Sequence, residues 1–288
     1  MMKQLSLTML LLMVVCTSVQ SQEILSFCGN PVWESKVFDA STNRDIKSGK
    51  VTFDKENLTM TFEDVEMYME SFISPLFVFA PTFDIVLKGT NVITLPNEYQ
   101  SGIFFKNPGN YTIRGDGSLQ ITTNKASVRC IESNASEGDV YLTVSGGCSL
   151  DLAGAYPILG YDNGPNSFTL NLKIDASTVH AKSLPEELSW GTWVGPTFCA
   201  LKSLTLVDCA FTTPAGAFFD EKELKVVVDG HQVSDEILIE PTTGESVSLM
   251  NNVSSADAPF YSLDGRQLRT RPQQRGVYIR HGHKVVVK

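Results

Sequence analysis

Histidine is scarce in this sequence. The 288 residues hold four, at 180, 231, 281 and 283, and two of them fall within the last eight positions. There is no Gly-x-Ser-x-Gly turn, no Asp-Asp pair and no Gly-His-Gly phrase. A nucleophile with its base, or the paired acids of a polysaccharide hydrolase, has little to be assembled from. The six cysteines show no Cys-x-x-Cys and no Cys/His spacing of a zinc site. Basic clusters are missing before residue 260, and 23 Lys and Arg against 32 Asp and Glu give a net charge of −9. That balance argues against a nucleic-acid partner. The longest apolar run, Leu5 to Val15, falls short of the roughly 20 residues a membrane span needs, so no span is expected.

What the chain does have is a phrase that returns. Phe83-Asp84-Ile85-Val86-Leu87-Lys88-Gly89-Thr90-Asn91-Val92-Ile93-Thr94 is followed by Tyr111 to Thr122, Val140 to Leu152, Phe168 to Ala176 and Leu204 to Phe211. Each copy is an alternating apolar run, a tight polar or glycine turn, and a second such run. Counted on Ile85, Ile113, Leu142, Leu170 and Leu204, the steps are 28, 29, 28 and 34. A period near thirty in β-rich sequence signals a solenoid, whose units bury their apolar faces only by stacking. Alternation sends Ile85, Leu87, Ile113, Leu142, Val144, Leu170 and Leu172 one way and their polar neighbours the other. Short apolar runs between the copies, such as Gly102 to Phe105, Val128 to Ile131 and Pro157 to Gly160, supply a third strand per coil. The expected fold class is all-β, a right-handed parallel β-helix with an N-terminal cap and a small C-terminal β-hairpin tail. An antiparallel sandwich also has frequent turns, but it gives no reason for the whole phrase to repeat.

In chain order, residues 1–21 read as a signal peptide: Lys3, then the apolar stretch, then Val19-Gln20-Ser21 before a mature start at Gln22. Val15 before Cys16 speaks against a lipoprotein cleavage. Loss of Lys3 moves the net charge from −9 to −10. Residues 22–50 are expected to cap the solenoid, 51–240 to form it with a first coil starting at Val51, 241–259 to be a Ser/Thr/Asn/Gly-rich linker, and 260–288 a separate tail. Residues 182–196 read as an insertion loop that explains the step of 34. The five cysteines of the mature chain, Cys28, Cys130, Cys148, Cys199 and Cys209, permit disulfides in an exported protein, but inward-facing positions favour buried small hydrophobes. The N-x-Ser/Thr sequons at Asn57, Asn110, Asn134 and Asn252 carry no meaning in a bacterial source.

The tail is basic and patterned. It contains Asp264-Gly265-Arg266, then Gly276-Val277-Tyr278-Ile279, then Lys284 to Lys288. Three such motifs in this order resemble the C-terminal sorting signal of proteins exported by the type IX secretion system of Bacteroidetes-type bacteria. The resemblance covers about thirty residues. It implies export to the medium or cell surface, with the secretion machinery as a partner of Asp264, Gly265, Arg266, Gly276, Tyr278, Lys284 and Lys288. The body, from Gly49-Lys50-Val51-Thr52-Phe53-Asp54 through Leu87-Lys88-Gly89-Thr90-Asn91, resembles secreted bacterial β-helix proteins, some of them described as carbohydrate-binding domains. That resemblance implies a fold and a polysaccharide or cell-surface glycan as partner, without defining ligand residues.

Sugar binding needs exposed aromatic rings with polar groups beside them. Trp190 and Trp193 in the insertion loop, with Tyr156 and Tyr161 on a nearby coil, are the candidates; the alternative role of the tryptophans is to pin the loop. Asp162 with Asn163 is a candidate Ca²⁺ pair, although turn-forming Asp is the commoner use of such residues. No catalytic residue and no resident cofactor is expected. A β-helix polysaccharide lyase or hydrolase, and a surface scaffold without a ligand, are the alternatives to a non-catalytic carbohydrate-binding or adhesive protein.

Overall fold

The computed structural model describes residues 24–123, 125, 127–135, 137–162, 164, 168–188, 191–242, 260–262, 267–268, 276–280 and 283–287. The expected leader and almost all of the expected linker lie outside them. The chain divides into two compact units, residues 1–240 and 241–288. Every regular element among the described residues is a strand, and no helix there is long and apolar enough to cross a membrane.

The first unit opens with β1 (Leu25–Phe27), β2 (Asn30–Val32), β3 (Lys36–Asp39) and β4 (Ile46–Asp54). β3, β4 and the following β5 (Thr59–Tyr68) form an antiparallel meander. Val51 and Phe53 are therefore cap residues, and the expected first coil at Val51 is corrected: parallel stacking begins at β5. This strand serves two faces. Its first half pairs in parallel with β7 (Thr82–Lys88) and its second half with β8 (Thr90–Thr94), after β6 (Leu76–Val78). The bend falls at Asp64, whose φ is 51°.

From there the chain winds as a β-solenoid of about five turns. The coils continue with β9 (Ser101–Phe105), then β10 (Gly109–Gly115), β11 (Ser118–Thr122) and β12 (Arg129–Ser133). Next come β13 (Val140–Ser145), β14 (Ser149–Gly154) and β15 (Tyr156–Leu159), then β16 (Leu170–Asp175) and β17 (Thr178–Ser183). A hairpin of β18 (Glu186–Leu188) and β19 (Gly191–Trp193) interrupts the last full coil before β20 (Phe198–Cys199), β21 (Leu201–Val207) and β22 (Cys209–Thr213). The first face stacks β5, β7, β10, β13, β16 and β21; the second stacks β5, β8, β11, β14 and β17; the third stacks β6, β9, β12, β15 and β20. Three strands per coil is what the short runs between the repeated phrases led one to expect.

Register shows why stacking pays. On the first face Met60, Ile85, Ile113, Val144, Ile174 and Leu206 are successive partners. On the second, Met67, Ile93, Ile121, Leu152 and Ala181 are. All except the terminal Leu206 are buried, each large one contributing about 1.5–3 kcal/mol on leaving water. The observed first-face positions 85, 113, 144, 174 and 206 step by 28, 31, 30 and 32, which corrects the sequence count of 28, 29, 28 and 34. The insertion shows instead on the third face, where Ile158 pairs with Phe198, a step of 40. Gly115 illustrates the tightness of the stacking: φ is 125°, and a Cβ would stand 2.2 Å from the Leu87 carbonyl oxygen.

The solenoid closes with an antiparallel set, β23 (Phe218–Asp220), β24 (Lys225–Val228) and β25 (His231–Gln232), and then β26 (Glu236–Pro241). β26 runs antiparallel to β17 and lies between it and β22. Its Ile237 and Ile239 still extend the second-face stack, because alternation has a period of two in either direction. The second unit is a four-stranded antiparallel sheet of β27 (Phe260–Tyr261), β28 (Gln267–Leu268), β29 (Gly276–Arg280) and β30 (His283–Val287). All five cysteines of the described residues are free.

Candidate functional site

The second face ends, coil after coil, at a corner that leads to the third face. Tyr68, Thr94 and Thr122 are register partners at this end. Alternation turns Val65 and Met67 inward and hence Tyr68 outward, where it is 42% exposed. Beyond it, the loop 69–75 carries Phe72, 76% exposed, and Ile73; the next coil's loop 95–100 carries Tyr99, 69% exposed. These loops are tied together. Asn97 Nδ2 donates to the carbonyls of Met69, Glu70 and Ser71 at 3.3, 3.2 and 3.2 Å. The buried Gln100 donates from Nε2 to the carbonyls of Ser71 and Ile73. The Gln100 carboxamide oxygen accepts the Asn97 N–H at 3.0 Å.

A groove of about 360 Å³ opens at the corner, lined by Tyr68, Thr94, Pro96, Thr122, Thr123 and Lys125. Thr123 Oγ1 donates to the Leu95 carbonyl at 2.7 Å and accepts the Lys125 N–H at 3.0 Å, which fixes that wall. A second concavity of about 320 Å³ lies on the cap side of loop 69–75, with Asn30, Asn43, Arg44, Asp45 and Ile73 among its walls. Cys28 lines it too, but burial pushes its thiol up to about 12, against an opposing Asn43 hydrogen bond and with Asp45's charge adding to the rise. At neutral pH this thiol is protonated and not a nucleophile.

One imidazole–carboxylate cluster stands on the outer side of the second face. Gln120, Asp151 and His180 are register partners. Gln120 Nε2 donates to Asp151 Oδ2 at 2.8 Å, His180 Nδ1 lies 2.9 Å from Asp151 Oδ1, and His180 Nε2 lies 2.8 Å from Glu236 Oε1. Both ring nitrogens are thus engaged, and the two carboxylates sit on opposite edges of the ring with no common point for a cation. Among the described residues no group of three His, Cys, Asp or Glu is placed to hold a metal ion. The cluster joins β26 to β14 and β17.

The residues singled out from the sequence are placed as follows. Tyr156 is half-buried on β15, in register with Arg129, and Tyr161 is half-buried just after that strand. Trp193 is on β19, its backbone paired with Glu186; Trp190 lies outside the described residues. Asp162 is exposed, and its Oδ1 accepts the Gly164 N–H at 2.8 Å, a turn-capping use; Asn163 is outside the described residues. In the second unit Tyr278 pairs with Val285 and Lys284 with Ile279; Asp264, Gly265, Arg266 and Lys288 are not among the described residues, and Gly276 opens β29. Sequence reasoning missed Tyr68, Phe72 and Tyr99. An aromatic residue inside a polar turn, as in Asn97-Glu98-Tyr99-Gln100, is the signal that marks the last of them.

No protein-family model, no curated protein and no solved structure matches this chain.

Proposed function

We propose that this is an exported, non-catalytic carbohydrate-binding β-solenoid that receives its saccharide at the corner between the second and third faces. The observation that supports it is Tyr68, held at a strand end over a groove walled by the threonines of the next two coils. A pyranose face stacks on an aromatic ring, and threonine hydroxyls both donate to and accept from sugar hydroxyls. Phe72 and Tyr99 stand exposed on the loops that follow β5 and β8. Export, and the role of the C-terminal motif in it, belong to the same proposal and rest on the leader and tail sequences.

Affinity electrophoresis through gels containing soluble cellulose, xylan, mannan or chitin derivatives tests the reading. Wild type is expected to be retarded by at least one polymer. Tyr68→Ala, at an exposed site, should weaken that retardation about tenfold, the loss of one stacked ring at roughly 1–1.5 kcal/mol. Free migration of the wild type in every gel, or retardation unchanged in Tyr68→Ala, defeats it.

A further inference from the structure

The concavity on the cap side of loop 69–75 is walled by the β1–β2 hairpin with Asn30, the β3–β4 turn with Arg44 and Asp45, and the loop itself with Ser71 and Ile73. Hydrogen bonds fix each wall. Asn30 Nδ2 donates to the Cys28 carbonyl at 3.1 Å, the Asn43 N–H donates to the Asp39 carbonyl at 2.8 Å, and the Ser71 carbonyl accepts from Asn97 and Gln100. The backbone of Asp45 is held on both sides: its N–H donates to Asn43 Oδ1 and its carbonyl accepts the Tyr68 N–H, both at 2.9 Å. Its carboxylate is not held. Asp45 is only 6% exposed, and no donor among the described residues reaches its buried Oδ1. Burying such an oxygen carries a desolvation cost that folds ordinarily offset with a hydrogen bond. The neighbouring Arg44 is exposed, and among the described residues nothing forms an ion pair with its guanidinium, Asp45 included. Two opposite charges thus border one small concavity without neutralising each other. Ile73, 49% exposed, adds an apolar wall against the β1–β2 hairpin, where a Cβ on Gly29 would stand 2.8 Å from its Cδ1.

We infer that this concavity binds a free α-amino acid with an aliphatic side chain. The ligand's ammonium donates to Asp45, its carboxylate is received by Arg44, and its side chain lies on Ile73. A zwitterion carries both charges on one carbon, so it supplies the donors that Asp45 lacks and a carboxylate for the guanidinium fork in one small molecule. The volume of about 320 Å³ is at the small end of the roughly 300–1,000 Å³ of small-molecule sites, as a metabolite of this size requires. A calcium ion suits the place less well. It takes about six to eight oxygens, a guanidinium on the wall repels it, and no group of three His, Cys, Asp or Glu among the described residues is placed to hold a metal ion. The inference does not depend on the saccharide reading.

Isothermal titration of the mature chain with leucine, with isopentylamine (leucine without its carboxylate) and with 4-methylpentanoate (leucine without its ammonium) provides the test. Leucine is expected to bind at least about tenfold more tightly than either single-charge analogue, since each analogue forfeits one charge-assisted contact. Arg44→Gln should bring leucine down to the level of isopentylamine, and Asp45→Asn should bring it down to the level of 4-methylpentanoate. Arg44 is exposed, so its variant keeps the test open even if the Asp45 variant folds poorly. No heat from leucine at millimolar concentration, an affinity no better than that of the analogues, or a leucine affinity unchanged in either folded variant overturns the inference.

Discussion

At position 91 the second-face stack of Leu119, Leu150, Val179 and Ile239 begins with an asparagine that is fully buried. Its role follows from the bend in β5. Where that strand passes from one face to the next, the Val65 N–H loses its ladder partner, and Asn91 Oδ1 accepts it at 3.0 Å. The same amide donates to the carbonyls of Lys88 and Ser118 at 3.2 and 2.9 Å. One side chain thus closes the hydrogen bonding of three coils. Asn91→Ala leaves a buried N–H and two carbonyls without it, and should cost about 3 kcal/mol at 1–3 kcal/mol per orphaned group, read as a lower urea midpoint. A result within about 0.5 kcal/mol of wild type would contradict this, since that is the range of ordinary surface changes. Nothing in the sequence announces the role, because Asn91 occupies an inward place in the alternation and two of its three partners, Val65 and Ser118, lie about a coil away. The site is hidden for a similar reason. The tyrosine at 68 was legible as outward-facing from Val65 and Met67, but the rigidity of its loops comes from Asn97 and Gln100 reaching carbonyls 26 to 29 residues back.

Strands were more legible than their exact partners. A run such as Val140-Tyr141-Leu142-Thr143-Val144 declares which side faces the core, and every such run is a strand. It does not declare which of Leu142 and Val144 sits on Ile113, because a slip of two residues leaves the apolar side unchanged. Direction is equally silent: Glu236-Ile237-Leu238-Ile239 alternates like its neighbours, yet β26 runs against them. Its placement depends on side chains at its start. His180 Nε2 lies within hydrogen-bonding distance of Glu236 there and Nδ1 of Asp151 on the other side, so one ring links β26, β17 and β14. These groups are partly exposed, so their contribution is that of a screened surface pair. His180→Gln should lower stability by no more than about 1 kcal/mol, but should speed hydrogen exchange at Ile237 and Ile239 about fivefold relative to amides of β13. Equal acceleration in both places would mean that His180 does not act on β26 in particular.

For the molecule as a whole, pH sensitivity should come from opposite ends of the scale. Burial raises the thiols of Cys28 to about 12 and Cys199 to about 11, and those of Cys130, Cys148 and Cys209 also rise. Their neutral forms favour the fold below the ordinary thiol value of 9.0, and that contribution drains away as pH climbs from there towards the folded values. At the acid end Asp39, Asp54 and Asp220 are held below the ordinary 3.8, chiefly by Ser41, by Asn57 and by the Glu223 N–H. Those carboxylates stabilise above 3.8 and cease to do so as pH falls through their folded values. A Tm profile should therefore be level near neutrality and decline on both flanks, with no change on adding reductant at pH 7. A Tm that drops with reductant would reveal disulfides, against the free thiols of the structure. Finally, the reversed strands bear on assembly. A stack of parallel coils is open-ended in principle, and its last strand is a template for another copy. Here β1 lies antiparallel on β6, β4 on β5, and β26 on β17. At these places the next strand in line has the wrong polarity to seed a further coil, so the first coil and the far end of the second face are closed to a second copy, while β20 and β21 end their stacks as parallel strands and are where any end-to-end addition would have to begin.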